Sequence, residues 1–294
     1  MRISINEDYI RVRPGNHKRS HREAMQILKD GGFDTLDFGM FCNGGDFQYD
    51  GKEDHIAYAS SIRECAEGIG LQINQTHVPF YEVLPMPEGY VEKLIRCVES
   101  SAVMGADYVV VHADTWYEPQ YVQWDYDTVL NTIYDVFAPI VETAEKRGVK
   151  IAMETLFEVR GSLYHRTRFC SLIEELDDIV GKFNCDTVGV CWDFGHANMA
   201  YGKQQFQAMR KMKSKLIATH VHDNICKYDN HNLPYMGNIN WAEGLQTMAD
   251  LGYEGDLTLE VGYGGMPDEL VLDYVKYAHK TAEHMAAQFA AFKK

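Results

Sequence analysis

VKIAME (149–154) and TVGVCWD (187–193), with a loop and a helical stretch near 168–182 between them, form the passage on which the fold turns. Both segments are nearly continuous in apolar residues. A strand that buries only one face alternates apolar and polar residues, whereas a run like these is buried on both faces. Two such runs separated by an amphipathic stretch describe parallel strands covered by helices. The same unit repeats upstream: ISI (3–5) with a helix near 19–31, TLDFG (35–39) with one near 53–68, LQINQTH (71–77) with one near 88–104, and DYVVVH (107–112) with one near 127–148. Downstream, TVGVCWD leads to a helix near 203–214, LIATHVH (216–222) to a long loop and a helix near 241–251, and DLTLEVG (256–262) to a final helix near 268–291. Several helices stop at glycine, as in KDGGFD, AEGIG, EKRGVK and ADLGYEG. Eight βα units predict an α/β fold, a (β/α)8 TIM barrel, as a single domain over residues 1–294 with its active site at the C-terminal ends of the strands. An open doubly wound sheet is the alternative, but neither GxGxxG nor GxxxxGKS is present.

Composition narrows the function classes. A chain of 294 residues has room for two ordinary domains, yet no linker, low-complexity tract or fixed sequence period divides it. Against 28 Lys and Arg stand 43 Asp and Glu, a net charge of −15, which disfavours a broad nucleic-acid surface and binding to anionic membranes. No apolar run is long enough for a transmembrane helix, and MRISINEDYI lacks the apolar centre of a secretory signal. Seven cysteines at 42, 65, 97, 170, 185, 191 and 226 are odd in number and contain no CxxC pair, so free thiols in a cytoplasmic setting are expected.

The chemistry lies where the strands end. His77, His112, Glu154 and Asp193 close the third to sixth strands, His220 and His222 lie on the seventh, and Glu260 on the eighth. His196 follows Asp193 by three residues, and Asp229 and His231 sit in the loop after the seventh strand. A lone histidine at a strand end is ordinarily a hydrogen-bonded structural residue. Glutamates inside IAMET and LTLEV are harder to dismiss, because a carboxylate among apolar neighbours is costly without a partner. A barrel brings all these ends to one mouth, and all are metal-ligand types. The minimal metal set is Glu154, Asp193, His220 and Glu260, suited to Mn²⁺, Co²⁺, Mg²⁺ or Zn²⁺. His77, His112, His196, Asp229, His231 and His222 are candidates for further metal sites, with more than one ion per chain, or for substrate contacts and ligand orientation.

These residues carry a resemblance. THVP (76–79), VVVHAD (109–114), METLF (153–157), VCWDFGHAN (190–198), THVHDN (219–224), YDNHNLPYMGNINW (228–241) and LTLEVGY (257–263) resemble, in this order, segments of the xylose-isomerase-like TIM-barrel superfamily. That superfamily includes sugar isomerases, sugar 3-epimerases and the endonuclease IV group. In the sugar enzymes one ion is held by two glutamates, an aspartate and a histidine, matching Glu154, Asp193, His220 and Glu260. The resemblance implies that Glu154 and Glu260 also act as catalytic acid and base, moving a proton beside a metal-polarised carbonyl. In the endonuclease IV group a trinuclear zinc cluster uses a longer set, matched in order by His77, His112, Glu154, Asp193, His196, His220, Asp229, His231 and Glu260.

The resemblance therefore implies a metal-dependent isomerase or epimerase of a sugar or sugar phosphate. The alternatives are a phosphodiester hydrolase acting on abasic DNA and a metal-dependent lyase or dehydratase. The acidic loop FCNGGDFQYDGKED lacks the clustered cations of a DNA-facing segment, so a nucleic-acid partner is not expected. Phe80 and Tyr81 read as walls of a sugar pocket in preference to wedges into a duplex, and Phe80, Trp116, Phe157 and Arg160 are candidate substrate contacts. Arg160, Arg166 and Arg168 decide between free and phosphorylated sugars if one of them meets the substrate. Trp192 sits within a strand and is expected in the core, while His17, His21, His55, His165, His279 and His284 match no motif and are expected as packing or surface residues. A homo-oligomer is expected by resemblance alone.

Overall fold

The computed structural model describes residues 1–11, 19–40, 54–79, 86, 88–113, 125–157, 168–263 and 265–293. Eight parallel strands run in the order β7-β6-β5-β4-β3-β2-β1-β8: β1 Ile3–Asn6, β2 Thr35–Gly39, β3 Gln72–His77, β4 Tyr108–Val111, β5 Lys150–Glu154, β6 Val188–Asp193, β7 Leu216–His220 and β8 Leu257–Leu259. A bridge between Val221 and Leu259 joins the two ends of this order, with Val221 N–H donating to the Thr258 carbonyl at 2.8 Å and Glu260 N–H to that of Val221 at 3.1 Å. The chain is a single-domain (β/α)8 barrel. The doubly wound alternative is excluded, because an open sheet has two unpaired edges.

Strand parity decides which side chains enter the barrel. Val110, Ala152, Cys191, Ile217 and Ala218 form a small apolar cluster separate from the main core, whereas Val109, Val111, Ile151, Met153 and Val190 belong to the main core beneath the helices. Side chains alternate across a strand. His112 therefore continues the inward row of Val110, Glu154 that of Ala152, Asp193 that of Cys191, and His220 that of Ala218. The inner cluster is the floor on which the ligand-type residues stand. Two register shifts adjust the rows. Leu36 pairs with Ile73 but Asp37 with Gln75, leaving Asn74 extra; Val190 pairs with Leu216 but Cys191 with Ala218, leaving Ile217 extra. Such bulges re-aim the side chains that follow.

The outer helices are α2 His21–Asp30, α3 His55–Ile69, α4 Tyr90–Met104, α5 Tyr126–Arg147, α6 Ile173–Phe183, α8 Gln205–Lys211, α9 Trp241–Asp250 and α10 Asp268–Phe292; two short ones, α1 Asp8–Arg11 and α7 Phe194–Tyr201, sit directly after β1 and β6. Gly70 and Gly148 end α3 and α5 at φ 81° and 74°, the left-handed conformation that glycine adopts without strain. α6 starts five residues later than residue 168 of the expected stretch: Cys170 lies at φ 65°, and its carbonyl accepts from Leu156 N–H at 2.9 Å. α6 ends on Asn184, also left-handed at φ 49°. No described helix is long and apolar enough to cross a membrane.

Candidate metal centre

Glu154 stands at the centre of the mouth, 1% exposed, with an imidazole on every side. Its Oε2 lies 3.0 Å from His77 Nε2 and 2.9 Å from His112 Nε2, and its Oε1 lies 3.2 Å from both His196 Nδ1 and His220 Nδ1. The partner that the sequence left unidentified for this carboxylate is thus a set of four histidines. His220 Nδ1 also faces Glu260 Oε2 at 3.3 Å and Asp193 Oδ2 at 3.9 Å. Asp193 reaches His222 Nε2 at 3.0 Å from Oδ1, and the same Oδ1 accepts the backbone N–H of His196 at 2.6 Å. That last bond caps α7, so the three-residue interval from Asp193 to His196 follows from one carboxylate serving as both N-cap and site residue.

A second cluster forms beside the first. Asp229 Oδ2 lies 3.1 Å from His231 Nε2 and 3.4 Å from His196 Nε2, Asp229 Oδ1 lies 3.8 Å from His222 Nε2, and the rings of His222 and His231 stack at 4.0 Å. Among the described residues, three groups place one ligand atom per residue within 4.8 Å of one another: Glu154, Asp193, His220 and Glu260; His77, Glu154 and His220; and His196, His222, Asp229 and His231. His222, whose role the sequence left open, falls in the last of these.

The loop carrying Asp229 and His231 is organised by Asp223, a fully buried carboxylate. Its Oδ1 accepts from the N–H groups of Asn224 at 2.9 Å and Ile239 at 3.2 Å, and its Oδ2 from Tyr235 N–H at 3.0 Å and Trp241 Nε1–H at 2.9 Å. A Cβ on Gly237 would stand 2.1 Å from Asp223 Oδ1, so only glycine fits in this turn.

Tautomers are set from outside the cluster. The Nδ1–H of His77 donates to the Val78 carbonyl, that of His196 to Thr155 and that of His231 to Glu260, each at 2.9 Å. A carbonyl only accepts, so in each ring Nε2 is the atom free to turn a lone pair on a cation.

The electrostatics follow from this crowding. Burial alone would raise the Glu154 carboxyl, but the fields of His220 and His112 and the bonds from His112 and His196 hold it well below the ordinary range. Asp193 is lowered against its own burial by His196 and His222, and Asp229 by its bonds from His196 and His231. His231 would be lowered by burial but is carried up to about 9 by the bond to Asp229 and the field of Glu260. In His112 burial prevails over Glu154 and pulls the ring down to about 4. Among the described residues, these four carboxylates pair with imidazoles and with no Lys or Arg. Among the described residues, Asp229 Oδ1 is buried without a hydrogen-bond partner, and His220 Nδ1 stands 3.2 and 3.3 Å from Glu154 and Glu260 out of line for a good hydrogen bond. An anionic, imidazole-rich cluster with unspent donor atoms is the chemistry a divalent cation completes.

Other expected residues fall as follows. Phe157 is half-buried, its ring 4.8 Å from that of His196, with the Arg168 guanidinium 5.3 Å above it. Phe80, Tyr81, Trp116, Arg160 and Arg166 lie outside the described residues, as do Cys42, His17 and His165. Trp192 is fully buried in the core. His21 pairs with buried Glu7 at 3.0 Å, His55 with Glu99 at 2.8 Å, and His279 packs edge-on against Phe33. Three site residues went unread in the sequence. Tyr9, in α1, sets its ring 5.0 Å from His231, and burial, Glu260 and Asp229 push its hydroxyl pKa up. Asp37 and Gln75 stand behind His220. The available signal was a polar residue at an inward position of TLDFG and of QINQTH.

The sequence profile of the family described as "Xylose isomerase-like TIM barrel" matches residues 25–286. An uncharacterized protein of Methanocaldococcus jannaschii is 30% identical over 244 residues, 81% of this chain and 78% of that one. Among solved structures, a D-tagatose 3-epimerase-like protein superposes with a TM-score of 0.71 at 22% identity, covering 99% of this chain and 98% of the other. A D-psicose 3-epimerase of Clostridium cellulolyticum H10, crystallised with D-tagatose, gives 0.75 at 17% identity, covering 97% and 99%.

Proposed function

Because the chain belongs to the xylose isomerase-like TIM-barrel family, we propose that it is a divalent-metal-dependent isomerase or epimerase of a sugar or sugar phosphate. The observation that carries this reading is the meeting of Glu154 and Glu260 at one imidazole, 3.2 and 3.3 Å from His220 Nδ1, from the ends of β5 and β8. The epimerases whose fold this chain shares support a carbohydrate substrate.

Glu154, Asp193, His220 and Glu260 are the residues that would hold the ion. When bound, it supplies Lewis-acid polarisation of a substrate carbonyl. Glu154 at the end of β5 and Glu260 just after β8 come from different strands, and one would take the proton beside the carbonyl while the other returned a proton to the opposite face. The imidazoles around Glu154 stabilise its carboxylate, the form that can accept a proton. Phe157 and Tyr9 wall the mouth beside the second cluster and exclude water from the reacting carbon.

The test is solvent exchange. In D₂O, a ketose substrate recovered from the wild-type enzyme gains deuterium at the carbon next to the carbonyl. Glu154→Gln and Glu260→Gln each lose turnover by roughly 10²–10⁴-fold, with metal content measured in parallel. Unchanged turnover in both variants would sink the shuttle.

A second reading rests on a different observation: His77, His196, Asp229 and His231 join ligand-type groups beside the minimal set, and His112 Nε2 lies 2.9 Å from Glu154. A chain that carries close to three zinc ions and cleaves abasic duplex would be a phosphodiester hydrolase. Such binding would weaken steeply with salt.

A further inference from the structure

His220 differs from its neighbours in what stands behind it. Its ring turns Nδ1 toward Glu154 and Glu260, so its far atom is Nε2. Where His77, His196 and His231 rest their far nitrogen on a backbone carbonyl, His220 Nε2 lies 2.9 Å from the side-chain carboxamide of Gln75, whose NH₂ faces the ring. A carbonyl dictates one tautomer. A carboxamide serves either, because its NH₂ donates to a bare nitrogen and its oxygen accepts from an N–H.

Gln75 is held by the barrel. It pairs in register with Asp37, which pairs with Asn6, so three polar side chains from β1, β2 and β3 form one level of the barrel. Asn6 Nδ2 donates to Asp37 Oδ2 at 2.9 Å, and the same Oδ2 lies 3.8 Å from His220 Nε2. Gln75 is 1% exposed, so solvent does not substitute for it.

We propose that Gln75 is a positioning residue for His220: when Nδ1 carries the ion, the Gln75 carboxamide turns its oxygen to accept the Nε2–H and fixes the ring in the ligating tautomer. In the arrangement seen here the NH₂ of Gln75 stands 2.9 Å from Nε2; a neutral ring held this way keeps its proton on Nδ1, which blocks the lone pair that a cation needs. Rotation about the last side-chain bond of Gln75 exchanges the two arrangements without moving the backbone. The inference rests on the metal-site reading above and adds the residue that governs one ligand.

Zn²⁺ is the probe, added to the full chain stripped of metal. Gln75→Leu removes the acceptor and lowers Zn²⁺ affinity by roughly 10–100-fold, the usual cost of losing such an outer partner. Gln75→Glu offers only acceptor oxygens and stays within about threefold of wild type; a merely structural residue would suffer more from a buried charge than from leucine. In wild-type protein loaded with Zn²⁺ and labelled with ¹⁵N-histidine, long-range ¹H–¹⁵N spectra place the His220 proton on Nε2 in slow exchange with water. This measurement needs no variant to fold. Leucine binding within twofold of wild type overturns the inference, as does a loaded ring carrying its proton on Nδ1. So does an Asp37→Asn variant that loses affinity where Gln75→Leu does not, since Asp37 would then be the acceptor. A wild-type chain that binds no Zn²⁺ overturns the metal reading and this inference with it, which separates the two failures.

Discussion

The Asp223 carboxylate accepts four hydrogen bonds and holds the loop that carries Asp229 and His231, so its removal tests stability and the second cluster together. Removing its carboxylate leaves the Ile239 N–H and the Trp241 indole N–H without acceptors in the buried interior, and the Tyr235 N–H, which is partly open to water, without its partner. Each such orphan costs about 1–3 kcal/mol. Asp223→Ala is therefore expected to cost on the order of 3 kcal/mol and to lower Tm by roughly 5–10 °C, read by calorimetry. Because the loop it holds carries Asp229 and His231, metal binding at His196, His222, Asp229 and His231 is lost before binding at the Glu154 set. Gly195 offers the converse test. A Cβ there would stand 1.9 Å from His222 Cε1, and the ring is already tied to Asp193 at 3.0 Å. Gly195→Ala should displace His222 at a cost of roughly 1–3 kcal/mol. A crystal structure showing His222 still on Asp193 would contradict this.

At the scale of elements, strands and most helix starts were legible: α9 and α10 begin at the expected residues, and α6, five residues late, is the exception. TLDFG matches β2 residue for residue, and VKIAME and TVGVCWD each run one residue beyond β5 and β6, because burial on both faces leaves an unbroken apolar run. α7 was missed because FGHANMAY is capped by Asp193, and a carboxylate at a strand end reads as a ligand before it reads as a helix cap. α1 is a single turn, too short for any periodicity, and Tyr9 was lost with it. Eight of the ten ligand-type residues were legible because each ends a strand or follows one within three residues, whereas Asp229 and His231, in the loop well past β7, were marked by the resemblance of that loop. Asp37 and Gln75 lie inside strands, where only inward parity marks them. Capping offers a test at this scale that leaves the site untouched. Ser20 Oγ accepts from Glu23 N–H, and the Glu23 carboxylate accepts from Ser20 N–H at 2.8 Å, a reciprocal cap on α2. Ser20→Ala should cost about 1 kcal/mol, a fall in Tm of about 2 °C, with metal affinity unchanged.

For the whole molecule, the mouth is a store of protons that a metal must displace. His231 is held at about 9 in the folded chain, above the value near 6.5 of an unfolded histidine. Its contribution to the stability of the metal-free protein is therefore complete below pH 6.5 and is lost as pH rises through 9. His112, depressed to about 4, acts in the opposite sense: between pH 6.5 and 4 the unfolded chain binds a proton that the folded ring refuses, so stability falls as pH is lowered through that window. Glu154, Asp193 and Asp229, all lowered, add to the loss on the acid side. The metal-free chain should accordingly be most stable near pH 6.5, on both flanks of which these groups work against it. A bound cation needs the imidazole lone pairs and gives up the protonated form of His231, so apparent Zn²⁺ affinity should climb from pH 6 to pH 9 and each binding event should release protons. Calorimetric titration in two buffers of different ionisation enthalpy reads that release directly. The expected result is heats that diverge between the buffers at pH 7 and draw together only above pH 9, because His231 is still half protonated at pH 9 and His196 and His220 are raised as well, while the gain in Tm on loading grows from pH 6 to pH 9. Equal heats at pH 7 would mean that the imidazoles are already neutral, and that the carboxylates around them are balanced by something other than protons.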